Sequence, residues 1–104
     1  MKLVIAEDDP TSRAMLKAVS SQWGYEPLLA EDGNAAWELM HQEDPPRLLI
    51  LDWEMPNLDG VALCARIREV QTTDPPFIIL LTARDHPTDV VTALDAGAND
   101  YVIK

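Results

Sequence analysis

The sequence predicts an open α/β domain built on one parallel β-sheet. Short apolar segments alternate strictly with segments of helical periodicity, which gives five strands and four helices. Two of the strands, at 48–51 and 77–81, are unbroken apolar runs, as expected where both faces of a parallel sheet are buried. Four of the strands are followed by polar residues, and the carboxyl edge of such a sheet is where ligands bind.

The composition limits what the chain can be. Its 104 residues suffice for one domain with one hydrophobic core. The net charge of −10 disfavours direct binding to nucleic acid or to an anionic membrane. The single cysteine, Cys64, cannot form an internal disulfide, and we predict it to be a helical core residue. No signal-peptide pattern is present and no apolar segment approaches the roughly 20 residues that span a bilayer, so we expect a soluble, cytoplasmic protein.

In the first half of the chain, strands are predicted at 3–6 and 25–30 and helices at 10–23 and 35–40. Asp9 fits the N-cap of the first helix and Pro10 its first position, whereas Gly24 fits its end. Pro27 lies in the second strand. Because proline donates no hydrogen bond to a sheet, we expect this strand to lie at an edge.

In the second half, strands are predicted at 48–51, 77–81 and 101–103 and helices at 61–70 and 87–97. Turn residues separate the third strand from its helix, and Pro87 begins the fourth helix. The fifth strand runs into Lys104, and no helix follows to cover its outer side. We therefore expect residues 1–104 to be a domain truncated at its C-terminus, with one more helix to follow Lys104.

The polar residues at the strand ends should meet at one edge of the sheet. They are Glu7 and Asp8, Asp52, Thr82 and Lys104. Carboxylates held this close repel one another when all are ionised, so either the pKa of one of them rises or a cation binds between them. Magnesium is the better candidate cation, because it takes hard oxygen ligands and is commonly shared with phosphate. We interpret Asp52 as a reactive carboxylate.

These residues and their spacing resemble the bacterial two-component response-regulator receiver domain. Asp52 lies 44 residues after Asp8, 30 before Thr82 and 52 before Lys104. The segment Met-Pro-Asn-Leu-Asp-Gly at 55–60 strengthens the resemblance, which extends over 3–104. It implies a flavodoxin-like (CheY-like), doubly wound five-stranded parallel sheet in the order 2-1-3-4-5, with four of the usual five helices present.

The resemblance also implies a metal-dependent phosphoacceptor site. Asp52 would be the phosphoacceptor, and Asp8 and Asp52 would ligate Mg²⁺, with Mn²⁺ as a substitute. The backbone carbonyl of Glu54 would be a third ligand, and Glu7 would act through water. Lys104 would supply positive charge to the phosphoryl oxygens.

A switch is implied as well. In receivers, a threonine at the position of Thr82 contacts the new phosphoryl group, and a tyrosine at the position of Tyr101 moves inward with it. Together they would couple chemistry at Asp52 to a surface formed by the fourth helix and fifth strand. We further expect Glu54 and Arg84 to form an ion pair at the rim of the site and to tune the lifetime of the phosphoryl group, although Arg84 has the alternative of reaching that group itself.

The function implied is phosphorelay signalling. The partners would be a histidine kinase or histidine phosphotransfer protein and a downstream effector domain or protein, with a phosphorylation-dependent homodimer as a further expectation. The chain would be a signalling module that assists its own phosphorylation and dephosphorylation at Asp52, rather than an enzyme. Three alternatives remain open: an aspartyl-phosphate hydrolase, an interaction module that does not depend on phosphorylation, and a flavodoxin-like cofactor binder. The hydrolase would need a substrate cap, and the cofactor binder a glycine-rich loop, neither of which the sequence offers.

Overall fold

The computed structural model describes residues 1–70 and 72–104, and its centre is a five-stranded parallel sheet. The strands are β1 (Lys2–Ala6), β2 (Glu26–Ala30), β3 (Leu48–Asp52), β4 (Phe77–Thr82) and β5 (Asp100–Ile103). The helices are α1 (Pro10–Gln22), α2 (Gly33–Leu39), α3 (Gly60–Glu69) and α4 (Pro87–Asp95). The strand order β2-β1-β3-β4-β5 confirms the predicted fold, and it places β2, with Pro27, at an edge as expected.

The helix starts follow from capping aspartates. Asp9 caps α1 as predicted, because its carboxylate accepts a hydrogen bond from Ser12 N at 3.0 Å. α2 begins earlier than predicted, at Gly33, because Asp32 accepts from Ala35 N at 2.7 Å. α3 begins at Gly60 for the same reason, with Asp59 as its cap. Each Asp-Gly pair thus supplies a cap and a first helical residue, where the sequence pattern indicated only a turn.

The core lies between the sheet and the helices α2, α3 and α4. The three central strands contribute alternate residues to this core, and all of them are buried: Val4, Ala6, Leu49, Leu51, Ile78 and Leu80. Full burial of such an aliphatic side chain stabilises a domain by about 1.5–3 kcal/mol. Cys64 of α3 is buried in this core, which confirms its prediction. Leu3 and Ile5 alternate with Val4 and Ala6 along β1. They are buried on the opposite face of the sheet, where α1 packs on β1 and β2.

Among the described residues, no helix has the length and apolar character that crossing a membrane would need.

Candidate functional site

Three carboxylates meet at the carboxyl edge of the sheet. β1 and β3 are neighbours, and their register pairs Ala6 with Leu51, so Glu7 and Asp8 at the end of β1 come beside Asp52. One oxygen of each of these three side chains lies within 4.8 Å of the others. Glu7 is 1% exposed and Asp52 5%, whereas Asp8 is exposed. Charges this close and this buried require a counter-charge.

Lys104 supplies part of that counter-charge. Its backbone N–H donates to the Thr82 carbonyl at 2.8 Å, which extends the pairing of β5 with β4 and brings the lysine to the site. Its Nζ lies 2.8 Å from Glu7 Oε1 and 3.3 Å from Asp52 Oδ2. Burial opposes the charge on Lys104, but the hydrogen bond to Glu7 and the charge of Asp52 outweigh it and raise the pKa of the lysine. The ammonium group therefore bridges the two buried carboxylates.

The two buried carboxylates titrate as a pair. Burial raises the pKa of Asp52 to about 7, with a further contribution from its hydrogen bond with Glu7 and the charge of that group. Burial also opposes ionisation of Glu7, yet hydrogen bonds with Asp52 and Lys104 outweigh it and hold the pKa of Glu7 below its usual value. The cluster thus makes ionisation of Asp52 less favourable, and ionisation of Glu7 more favourable, than in the free side chains.

The carboxylate cluster fits a divalent cation. Among the described residues, Glu7 Oε2 is the buried side-chain oxygen that lacks a hydrogen-bond partner. An unpartnered buried carboxylate oxygen is unfavourable unless a donor or a cation satisfies it. The other donors of the cluster, on Asp8 and Asp52, are also hard oxygens, which are the ligands of Mg²⁺ and Mn²⁺. The residues present thus have the chemistry that the predicted metal requires.

Thr82 ends β4 next to this cluster and is completely buried. The register of β3 with β4 pairs Asp52 with Leu81, so Thr82 lies one residue beyond the level of Asp52. Its Oγ1 accepts a hydrogen bond from the backbone N–H of Arg84 at 3.0 Å. The hydroxyl group is therefore engaged with the loop that follows β4.

Tyr101 of β5 contacts the same loop. The ring is half-buried and packs edge-to-face on Trp53, with 6.4 Å between the ring centroids. Its hydroxyl donates to the backbone carbonyl of Arg84. Burial is the first cause of a raised pKa for this hydroxyl, so it stays protonated and able to donate. Thr82 and Tyr101 thus contact the N–H and the carbonyl of one residue, Arg84.

The predicted ion pair at the rim is present. Arg84 Nε lies 2.5 Å from Glu54 Oε1, and Arg84 Nη1 lies 3.6 Å from Asp89 Oδ1 at the start of α4. The guanidinium also stacks over the Trp53 ring, 4.4 Å from its centroid. Sequence reasoning missed the contributions of Trp53 and Asp89. The position of Trp53 directly after Asp52 was the available signal for the first; nothing local marks Asp89.

The glycine that begins α3 allows a close approach behind Asp52. A Cβ at Gly60 would lie 2.3 Å from the backbone oxygen of Asp52 and 2.9 Å from Leu80 Cδ2. The N–H of Gly60 also donates to the carbonyl of Trp53 at 3.0 Å. The start of α3 is thus packed directly against the backbone of the central acidic residue.

A comparison with known families agrees with this arrangement of strands and polar residues. The family model described as response regulator receiver domain matches residues 3–104. The chain belongs to the response-regulator receiver family. Receivers are signalling modules of two-component systems, and as a family they pair with histidine kinases and with effector domains.

Proteins of different lengths contain a region similar to this chain. Chemotaxis protein CheY1 of Helicobacter pylori is 37% identical over 105 residues, covering 100% of the chain and 85% of that protein. The probable transcriptional regulator ycf27 of Galdieria sulphuraria is 45% identical over 103 residues, covering 99% of the chain but 39% of that protein. The solved structure of response regulator protein TrrA from Thermotoga maritima, in complex with Mg²⁺-BeF, matches with a TM-score of 0.84 and 33% identity, covering 99% of the chain and 85% of the other.

Proposed function

We propose that this receiver accepts a phosphoryl group on Asp52, in a Mg²⁺-dependent reaction, from a histidine kinase or histidine phosphotransfer protein. The observation that carries the proposal is the position of the Asp52 carboxylate, which lies beside Lys104 and within 4.8 Å of two further carboxylates. The related TrrA, solved in complex with Mg²⁺-BeF, supports Mg²⁺ as the cation of this reaction. An effector domain or protein would read the phosphorylated state, and a homodimer formed on phosphorylation is part of the proposal.

Asp8, Asp52 and the backbone carbonyl of Glu54 would hold the Mg²⁺ ion, for which Mn²⁺ could substitute, and Glu7 would act through water. When bound, the cation offsets negative charge on the phosphoryl oxygens and on the carboxylates. Asp52 Oδ attacks the phosphorus; the new O–P bond forms as the P–N bond to the donor imidazole breaks. The imidazole nitrogen keeps the electron pair of the broken P–N bond and takes up a proton from solvent as it leaves. Lys104, already 3.3 Å from Asp52, is placed to offer its positive charge to the incoming group.

The switch would use the two contacts on Arg84. If the Thr82 hydroxyl group moves to donate a hydrogen bond to a phosphoryl oxygen, its hydrogen bond from the Arg84 N–H would break. Tyr101 would still hold the carbonyl of Arg84. A change at Asp52 is thereby passed to the loop before α4 and to β5. The proposal requires only that the phosphoryl group favours one of the two arrangements.

Phosphorylation by a small donor tests the proposal without a cognate kinase. The domain is incubated with acetyl phosphate and Mg²⁺, or with EDTA in place of Mg²⁺, and then reduced with borohydride, which converts an aspartyl phosphate to homoserine. Peptide mass spectrometry is expected to find the conversion at Asp52, and only with Mg²⁺. Steady turnover of a small phosphate ester would favour the hydrolase instead, and failure to modify any aspartate would favour the phosphorylation-independent interaction module.

The rim pair is expected to slow hydrolysis of the phosphoryl group by restricting the approach of water. We expect the double substitution Glu54→Ala and Arg84→Ala to shorten the half-life of the aspartyl phosphate by up to about fivefold, in line with the 0–1 kcal/mol of an exposed ion pair. The hydrolysis rate is measured as the decline of the phosphorylated fraction of the protein after acetyl phosphate is removed.

The ion pair of Arg47 with Asp74, which lies in the segments before β3 and β4 at the opposite edge of the sheet, gives a matched control. Its double alanine variant should keep the wild-type half-life. An unchanged half-life in the Glu54 and Arg84 variant would refute the tuning role.

A further inference from the structure

The loop between β3 and α3, residues 53–59, is attached at its middle to the start of α2. Asn57 Nδ2 donates a hydrogen bond to Asp32 Oδ2 at 2.9 Å, across 25 residues of sequence. The next residues are also in contact: a Cβ at Gly33 would lie 1.9 Å from the backbone oxygen of Leu58. Glycine at 33 thus lets the loop and the helix meet backbone to backbone, at the level where the side chains of Asn57 and Asp32 are joined.

The two oxygens of Asp32 have different partners. Oδ1 accepts from the N–H of Ala35 and caps α2, while Oδ2 accepts from Asn57. The bond from Ala35, and then that from Asn57, lowers the pKa of Asp32, so the group is a carboxylate at neutral pH. Capping by itself would need one oxygen. The second oxygen is left for the contact with the loop.

Asn57 has a backbone that suits this contact. Its φ of +71° is the one positive φ outside glycine among the described residues. Asparagine and aspartate tolerate this left-handed conformation better than other side chains. Asn57 therefore allows the sharp turn of the loop and at the same time places an amide donor on Asp32.

The attachment matters because the loop carries Glu54. One end of the loop is held by the bond from Trp53 N–H to the Leu81 carbonyl, and the other by the bond from Gly60 N–H to the Trp53 carbonyl. The contact between Asn57 and Asp32 is a further anchor, between these two ends. A backbone carbonyl serves as a metal ligand only when its loop is held in place, and groups that orient ligands from outside the ligand set change metal affinity measurably.

We propose that Asp32 and Asn57 are positioning residues for the metal site: their hydrogen bond holds the β3–α3 loop so that the Glu54 carbonyl is presented to Mg²⁺. This inference rests on the proposed function, since it takes the Glu54 carbonyl as a ligand. It extends the site to the start of α2.

Exchanging donor and acceptor tests the inference. Asn57→Asp sets two carboxylates against each other, while Asn57→Asp combined with Asp32→Asn restores an amide–carboxylate pair, keeps a residue suited to each backbone position and keeps the net charge. Magnesium chloride is titrated into the metal-free protein by calorimetry, and the urea midpoint is measured in parallel. We expect the single variant to weaken Mg²⁺ binding by about tenfold, and the exchanged pair to return to within about twofold of wild type.

Asn34→Asp is the matched control. It makes the same chemical change at an exposed position of α2, so it reports the effect of one added charge alone, and we expect it not to weaken binding. If the bond only stabilised the fold, Asn57→Asp would lower the urea midpoint and leave the Mg²⁺ affinity of the folded protein unchanged; that result overturns the positioning role. Absence of Mg²⁺ binding by the wild type would instead refute the proposed metal-dependent function, and the inference with it.

Discussion

Replacing Asp52 with asparagine is expected to abolish phosphoryl acceptance and to leave the domain folded. The amide nitrogen and oxygen match the carboxylate in shape but do not attack phosphorus, so labelling by acetyl phosphate should fall by more than about a hundredfold. The free energy of unfolding should change little or increase, by up to about 1 kcal/mol, because a buried carboxyl group is removed from beside two other carboxylates.

The measurements are intact-protein mass after incubation with acetyl phosphate and Mg²⁺, and urea unfolding followed by circular dichroism. Asp59→Asn is the control, because Asp59 caps α3 at the end of the same loop and asparagine is an equally good cap. It should be labelled like the wild type. Labelling of the Asp52→Asn variant at another aspartate, such as Asp8, would contradict the assignment of the acceptor.

Gly60→Ala is expected to destabilise the domain by about 3 kcal/mol. In an ordinary first helical turn this change would be neutral or favourable, since alanine is the better helix former. Here the added Cβ would lie 2.3 Å from the Asp52 carbonyl oxygen, and the neighbour that has to move is backbone at the end of a central strand. The loss is a large part of the roughly 5–15 kcal/mol by which domains are stable.

Urea unfolding of the metal-free protein gives the free-energy difference. Asn34→Ala, which adds no clash at an exposed position in the first turn of α2, should stay within about 0.5 kcal/mol of wild type. A Gly60→Ala variant as stable as the wild type would mean that α3 can move away from the Asp52 backbone at no cost, against the close packing inferred for this position.

The fold follows from features that are local in sequence. Apolar runs such as 48–51 predict strands buried on both faces, and strict alternation with helices predicts a parallel sheet. Pro27 indicated an edge strand for a reason that holds in any sheet, and the structure confirms it. Element boundaries depend on contacts outside the local pattern. The predicted strand 25–30 in fact begins at Glu26, because the N–H of Tyr25 closes the end of α1 by donating to the Ser20 carbonyl.

The members of the candidate site were predicted, but their energetics were not. The positions of Glu7, Asp8, Asp52 and Lys104 at strand ends place them at one edge once the sheet is parallel. Which carboxylate keeps a proton depends on burial and on distances to Lys104, and neither is a property of the sequence pattern. The stacking of Arg84 on Trp53 depends in the same way on how two loops meet.

By itself, the sequence determined the strand and helix pattern, the edge of the sheet at which polar residues gather and the resemblance that names their roles, because these depend on periodicity and on spacing along the chain. Only the tertiary structure decided that Asp32 contacts Asn57, that Gly33 and Gly60 lie against backbone, and that one oxygen of Glu7 has no partner. These contacts join residues on different elements. Their formation depends on how those elements pack in three dimensions, which no one-dimensional pattern records.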